Sequence, residues 1–234
     1  EKDGTFTNTD RAVRRVRKAV EPPGEARADW QIACELGKRL GASGFDFKSP
    51  SEIMDEMASL APIYAGINYQ KIDGQVTRWP CPSKDHTGTR ILHTLKFTKG
   101  LGEFAPVQHA PPAEEPSEDY PLILTTGRNL FQYHTGTMTR RSPKLEREAP
   151  EPYVELNKGD AKKLEIVDGE RVMVSSRRGA ITLKARVTDR IIPGSIFIPF
   201  HYAEAAANRL TNAALDPISN IPELKVCAAK VQKA

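Results

Sequence analysis

Cysteine is scarce here: three in 234 residues, at positions 34, 81 and 227. An odd number, widely spaced and without a C-x-x-C pair, excludes a disulfide framework and the usual zinc and iron–sulfur spacings. Histidine is nearly as sparse, at 86, 93, 109, 134 and 201, and no two stand at H-x-x-x-H spacing. No apolar run approaches the roughly 20 residues that cross a bilayer, so no direct membrane insertion is expected. The opening EKDGTFTNTD has neither the basic nor the apolar region of a secretory signal. A start at Glu1 leads us to expect a processed product or a fragment. Free thiols make a reducing, cytoplasmic compartment the simplest expectation, with the periplasm as the alternative. Strong charge is missing too. A net +4 is too little to argue for a nucleic-acid partner.

The composition that remains, 39% hydrophobic and 27% charged, is that of a chain able to bury a core. Its charge is uneven. Residues 1–120 carry 16 Lys and Arg against 18 Asp and Glu, whereas residues 121–234 carry 18 against 12. A basic second half suits an anionic ligand or an acidic partner, and equally a solvated surface.

The first part, residues 1–119, reads as helical and irregular. Thr9 or Asp10 can cap a short helix with Val13, Val16 and Val20 on one face. Asp29 can open a second, with Trp30, Ala33, Leu36 and Leu40 inward and Gly41 as its stop. Ser49, Pro50 and Glu52 form a helix-start signature ahead of Ile53, Met57 and Leu60. From Pro62 to Tyr120 no long element is expected, and APPAEEPSEDYP (110–121) reads as an exposed linker. After it come short apolar or alternating runs: LILTT (122–126), RVMVSS (171–176), ITLKARV (181–187), SIFIPF (195–200) and KVCAAKV (225–231). Turn signals separate them at Asp168-Gly169, Arg178-Gly179 and Pro193-Gly194. A short helix capped by Asp160 is also expected. Residues 120–234 should therefore form a small closed or partly closed barrel, and the whole an α+β chain.

Chemistry concentrates in LTTGRNLFQYHTGTM (124–138). A strand runs into Gly127 and then into a stretch rich in Gly, Thr and Arg. Small residues let backbone N–H groups approach a phosphate closely, hydroxyls add donors, and Arg128 can make paired bonds to phosphate oxygens. The pattern taken alone fits a nucleotide loop or an ordinary polar loop.

TTGR and YHTGTMTRRS within 125–142 resemble the opening of the molybdopterin-dinucleotide-binding domain of formate dehydrogenases. The resemblance continues through LNKGDAKKLEIVDGERVMVSSRRGAI (156–181), VTDRIIPGSIFIPFH (187–201) and NRLTNAALDPISNIPELKVCAAKV (208–231). Residues 1–32 resemble the segment shortly before that domain, and Trp79-Pro80-Cys81-Pro82 a local feature of the same branch. The resemblance implies a double-psi β-barrel of about six strands at 120–234. It also implies molybdopterin guanine dinucleotide carrying molybdenum or tungsten. Residue by residue, Thr126, Arg128, Leu130, Tyr133, His134 and Thr135 would meet the cofactor from the first loop, and His201, Asn208 and Lys225 from later motifs.

No catalytic residue and no metal ligand is expected in this chain. The family's metal ligand, catalytic His and Arg, and iron–sulfur cysteines lie upstream of the matching region. The implied partners are that upstream part and an electron-transfer subunit carrying iron–sulfur or flavin, with formate and carbon dioxide as substrates of the whole enzyme. Another molybdopterin oxidoreductase, such as a nitrate reductase, or a non-catalytic pterin-family subunit are the alternatives. Three features have plainer readings. Cys81 reads as structural rather than nucleophilic. The basic run Arg14-Arg15-Val16-Arg17-Lys18 reads as a solvated face or a contact with upstream domains. Arg177-Arg178-Gly179 reads as a hairpin turn, and Arg140-Arg141 as either a phosphate contact or surface.

Overall fold

The computed structural model describes all residues, Glu1–Ala234, and the chain divides into two compact units, Glu1–Ala105 and Pro106–Ala234. In the first unit, β1 (Gly4–Thr7) and β2 (Ala12–Val16) form an antiparallel hairpin that pairs with the two-residue β3 (Thr77–Arg78). Residues 10–20 therefore do not form the helix expected above. Asp10 does not cap a helix but receives the Ala12 amide at 3.2 Å, closing a turn in which Arg11 adopts φ 67°. β-branched residues at Thr5, Thr7, Val13 and Val16 favour the paired strands over a helix of barely two turns.

Helix α1 (Asp29–Arg39) starts at Asp29 and stops at Gly41, whose φ of +80° suits the left-handed closing residue. Its buried residue is Cys34. Ala33, Leu36 and Leu40, expected inward, face outward. Helix α2 (Pro50–Leu60) has the expected start, with the Glu52 amide bonded to Ser49 Oγ and the Glu52 carboxylate accepting from the Lys48 amide. It buries Met54, while Met57 and Leu60 are exposed. Met54 packs with Val13, Ile67, Ile72 and Cys81, flanked by Tyr64, Tyr69 and Trp79. Ile72 comes from the short α3 (Tyr69–Gly74). The Cys81 thiol is fully buried and donates to the His86 carbonyl at 3.2 Å, a structural role.

The second unit is a six-stranded closed barrel: β4 (Leu122–Gly127), β5 (Tyr153–Asn157), β6 (Arg171–Ser176), β7 (Gly179–Thr188), β8 (Ser195–Pro199) and β9 (Cys227–Lys233). Around the barrel the order is β4-β8-β5-β7-β6-β9, with β4–β8 and β5–β7 parallel and the other four pairs antiparallel. Two parallel crossovers in one closed mixed barrel give the double-psi architecture. Alternation explains the core: in β7, Ile181, Leu183 and Ala185 point inward while Thr182, Lys184 and Arg186 point out. Leu124, Leu156, Val172, Val174 and Ile196 are fully buried beside them, each stabilising the fold by about 1.5–3 kcal/mol. Five of the strands coincide with the runs read from the sequence, and β5 is additional. The short α4 (Pro143–Glu148) precedes β5, and α5 (Lys158–Lys163) follows it directly.

Two smaller expectations change. Asn157, not Asp160, caps α5, accepting the Gly159 amide at 2.8 Å. Asp160 is buried in its first turn and takes the Gly194 amide at 2.6 Å, tying the helix to the turn before β8. The segment 110–121 is also not a free linker. The Glu114 side chain is largely covered against the barrel, ion-paired to Arg177 and Arg178. No helix is long and apolar enough to cross a membrane.

Candidate binding site at the mouth of the barrel

Because β4 and β8 run parallel, with Gly127 opposite Pro199, the loops that leave them emerge at the same end of the barrel. One is the Gly/Thr/Arg loop 128–142 and the other begins Phe200-His201-Tyr202. The third segment to arrive there is Leu224-Lys225. Thr126 Oγ1 donates to the Leu224 carbonyl at 2.7 Å, and Lys225 Nζ donates to the Thr126 carbonyl. Glycine is needed at 127, since a Cβ there would lie 2.6 Å from the Phe197 ring.

The first loop is held by a buried polar network. Gln132 is buried; its amide nitrogen donates to Glu146 at 3.1 Å and its oxygen accepts from Thr139 Oγ1 at 2.6 Å. Asn129 donates to the Tyr153 hydroxyl at 3.0 Å. Arg140 is the hub. Its guanidinium bonds both Glu146, at 2.9 Å, and Glu204, at 2.8 Å, and lies over the Tyr202 ring. The two carboxylates hold Arg140 charged, and its guanidinium in turn holds Glu204 below the usual carboxylate range. Arg140 is thus a brace between the first and second loops. Sequence reasoning missed this network, because Glu204 lies 64 residues from Arg140 and no local pattern announces the pair.

The residues singled out from the sequence fall into three groups. Thr126 is buried in the floor, and Lys225 is tied to it. Arg128, Tyr133, His134, Thr135 and Leu130 line the exposed face of the first loop, Leu130 being 91% exposed. Arg128 lies 5.5 Å from the Tyr133 ring centre and, unlike Arg140, enters no ion pair. His134 adopts φ 53° and sets its ring edge-on to Phe200. His201 meets the first loop at Gly136 and is buried, with neither ring nitrogen hydrogen-bonded. Burial pushes its pKa down and the charge of Arg140 adds to that, against the weaker pull of Glu146 and Glu204. Asn208 stands apart from these, exposed on the turn of helix 207–209.

This arrangement fits an extended, anionic, heteroaromatic ligand. A buried imidazole with both nitrogens orphaned is a costly arrangement unless a ligand supplies the partner. Arg128 is an uncommitted cation on the exposed face of the first loop. Nowhere in the chain do three His, Cys, Asp or Glu gather as metal ligands.

Comparison with known proteins agrees with the geometry. Residues 122–228 match the model of the molydopterin dinucleotide binding domain, and residues 1–39 match that of molybdopterin oxidoreductase. The chain is 50% identical, over its whole length, to the F420-dependent formate dehydrogenase 2 subunit alpha of Methanococcus maripaludis. The corresponding F420-dependent formate dehydrogenase subunit alpha of Methanocaldococcus jannaschii is also 50% identical. In both cases the match takes in 35% of the relative, so the chain spans about a third of the length of these curated relatives. Among solved structures, acetylene hydratase from Pelobacter acetylenicus aligns with all of this chain and 37% of its own, at a TM-score of 0.76 and 20% identity, which is a likeness of fold.

Proposed function

From its membership of the molybdopterin oxidoreductases, carried by residues 1–39 and by the dinucleotide-binding barrel at 122–228, we propose that this chain is the cofactor-clasping part of a formate dehydrogenase-like catalytic subunit. The observation that carries the reading is the convergence of three segments at one barrel mouth around a buried, unpartnered His201 and a free Arg128. The ligand is molybdopterin guanine dinucleotide with molybdenum or tungsten. When bound, it supplies the dithiolene sulfurs and the metal at which formate would lose a proton and two electrons to become carbon dioxide.

The chain's own residues bind and orient. Arg128 would pair with the pyrophosphate, as a planar fork suits adjacent anionic oxygens. The exposed hydroxyls of Thr135 and Thr137, 3.2 Å apart, would donate to the same region. His201, kept neutral by burial, can donate from one ring nitrogen and accept at the other, which suits a heterocyclic edge. Tyr133, Leu130 and His134 offer flat or apolar cover, Lys225 would act from the floor, and Asn208 would reach the ligand from the loop that follows β8. Fixing the ligand in this rigid mouth positions its reactive end relative to residues outside the chain, where much of a catalytic rate can originate. The partners are then the rest of the catalytic subunit and an electron-transfer subunit. Identity with F420-dependent relatives favours one that delivers the electrons to F420.

Arg128→Ala tests this in the intact enzyme. Loss of paired charge-assisted bonds worth about 1.5–3 kcal/mol should reduce cofactor occupancy roughly tenfold or more. Arg128→Lys should recover only part of that. Arg171→Ala, at the start of β6, should change little. Pterin per folded enzyme, with circular dichroism as the folding check, gives the answer. Unchanged occupancy in Arg128→Ala would remove Arg128 from the site.

A further inference from the structure

Ahead of the barrel, residues 113–117 lie across it as a strap. The Ala113 amide donates to the Glu223 carboxylate at 3.1 Å, and the Glu114 carboxylate accepts the Ala228 amide at 3.2 Å. Glu114 also takes both arginines of the β6–β7 turn, Arg178 at 2.7 Å and Arg177 at 2.5 Å. Arg177 donates onward to Ser117 Oγ at 3.1 Å. Arg178 does something different. Its Nε and Nη2 donate at 2.9 and 2.8 Å to the carbonyl of Leu210, whose side chain is fully buried at the end of helix 207–209. One guanidinium therefore joins the strap, the hairpin turn and the loop that carries Asn208. The Glu223 that receives Ala113 also accepts from Asn212 at 3.3 Å, on the other side of the same loop.

We propose that Glu114 and Arg178 form a latch that sets the position of the 207–212 loop, making them positioning residues for whatever Asn208 contacts. An arginine that spends one edge on a carbonyl and the other on a carboxylate is fixed in plane and in distance. Moving the loop would strand either the Leu210 carbonyl or the Glu114 charge, and both costs oppose the motion. The strap thus reaches the mouth of the barrel without touching a ligand. What the loop is positioned for rests on the cofactor reading given above. The latch itself does not.

Amide hydrogen exchange on the full 234-residue chain, without ligand, separates the two. In Arg178→Ala the amides of 208–212 should exchange at least tenfold faster, while those of β5, β7 and β8 keep their protection and report that the barrel is folded. Glu114→Gln should loosen the same amides to a smaller degree. Arg177→Ala removes a partner of Glu114 but no bond to Leu210, and should leave them within about twofold. The double variant Glu114→Gln/Arg178→Ala should exchange no faster than Arg178→Ala alone, because the two groups act through one network. Arg178→Lys should recover less than half of the protection. Equal loosening by Arg177→Ala and Arg178→Ala, or none by either, overturns the latch.

Titration with guanosine diphosphate reads its consequence. Arg178→Ala should bind at least fivefold more weakly than the wild type, and Arg177→Ala equally well. Unchanged affinity with a loosened loop overturns the positioning role. Absence of binding by the wild type, with exchange behaving as described, counts against the cofactor reading while the exchange still supports the latch.

Discussion

At Gly136 the backbone has a φ of +75°, and a Cβ there would stand 2.8 Å from Arg140 Cγ and 3.4 Å from His201 Cβ. Arg140 cannot step aside, because two carboxylates hold it. Gly136→Ala should therefore cost about 1–3 kcal/mol, through left-handed strain and displacement of the brace together. Chemical denaturation checks the cost; stability equal to wild type would mean that Arg140 is freer than its bonds indicate. Individual residues were the scale at which the sequence was hardest to read. Arg128 and Thr135 could be suspected from loop composition, since uncommitted cations and hydroxyls near a glycine have a recognisable chemistry. His201 became a candidate only through family resemblance. Its significance lies in having two buried nitrogens without partners, which only the fold produces.

Elements were legible where the pattern was local and one-sided. Strands β6 and β7 declared themselves by alternation and by the Arg177-Arg178-Gly179 turn, and the start of α2 by Ser49, Pro50 and Glu52. The hairpin β1–β2 was misread, because Val13 and Val16 satisfy a helical spacing as well as a strand. What decided for the strand was pairing with Gly4–Thr7, a tertiary fact. The outward Leu36 and Leu40 of α1 show the same limit, since amphipathic spacing names a face without naming what covers it. The linker differs again. Its Pro and Glu content did mark a chain without regular structure, yet one of those glutamates is an anchor. Limited proteolysis should accordingly cut first at 101–111, which is exposed, before it cuts at 113–120, where Ala113, Glu114 and Ser117 are bonded to the barrel. N-terminal sequencing of the first stable fragment settles the order, and a first cut between Glu114 and Tyr120 would contradict the strap.

The whole molecule has two compact units, and the strap decides where the second begins. Residues 120–234 contain every strand of the barrel and 106–234 add only the strap, so a comparison of the two fragments isolates what Glu114 contributes. Burial pushes the Glu114 carboxyl up, but hydrogen bonds from Arg178 and Arg177 and from the Ala228 amide outweigh it and hold it at about 2, against an ordinary 4.5. A carboxyl depressed on folding favours the native state above its unfolded pKa, and that advantage is lost as pH falls through the folded value. Its upper bound is roughly 3 kcal/mol, from about 1.4 kcal/mol per unit. At pH 7 the 106–234 fragment should therefore be the more stable by about 2–3 kcal/mol in urea denaturation. Lowering the pH from about 4.5 towards 2 should narrow the gap as the Glu114 charge is neutralised. Glu114→Gln in the longer fragment should remove most of the difference at pH 7 and flatten its dependence on acid. If the two fragments unfold at the same urea concentration at pH 7, the strap is only draped on the barrel, and a boundary at 119–120 describes the domain better than one at 105–106.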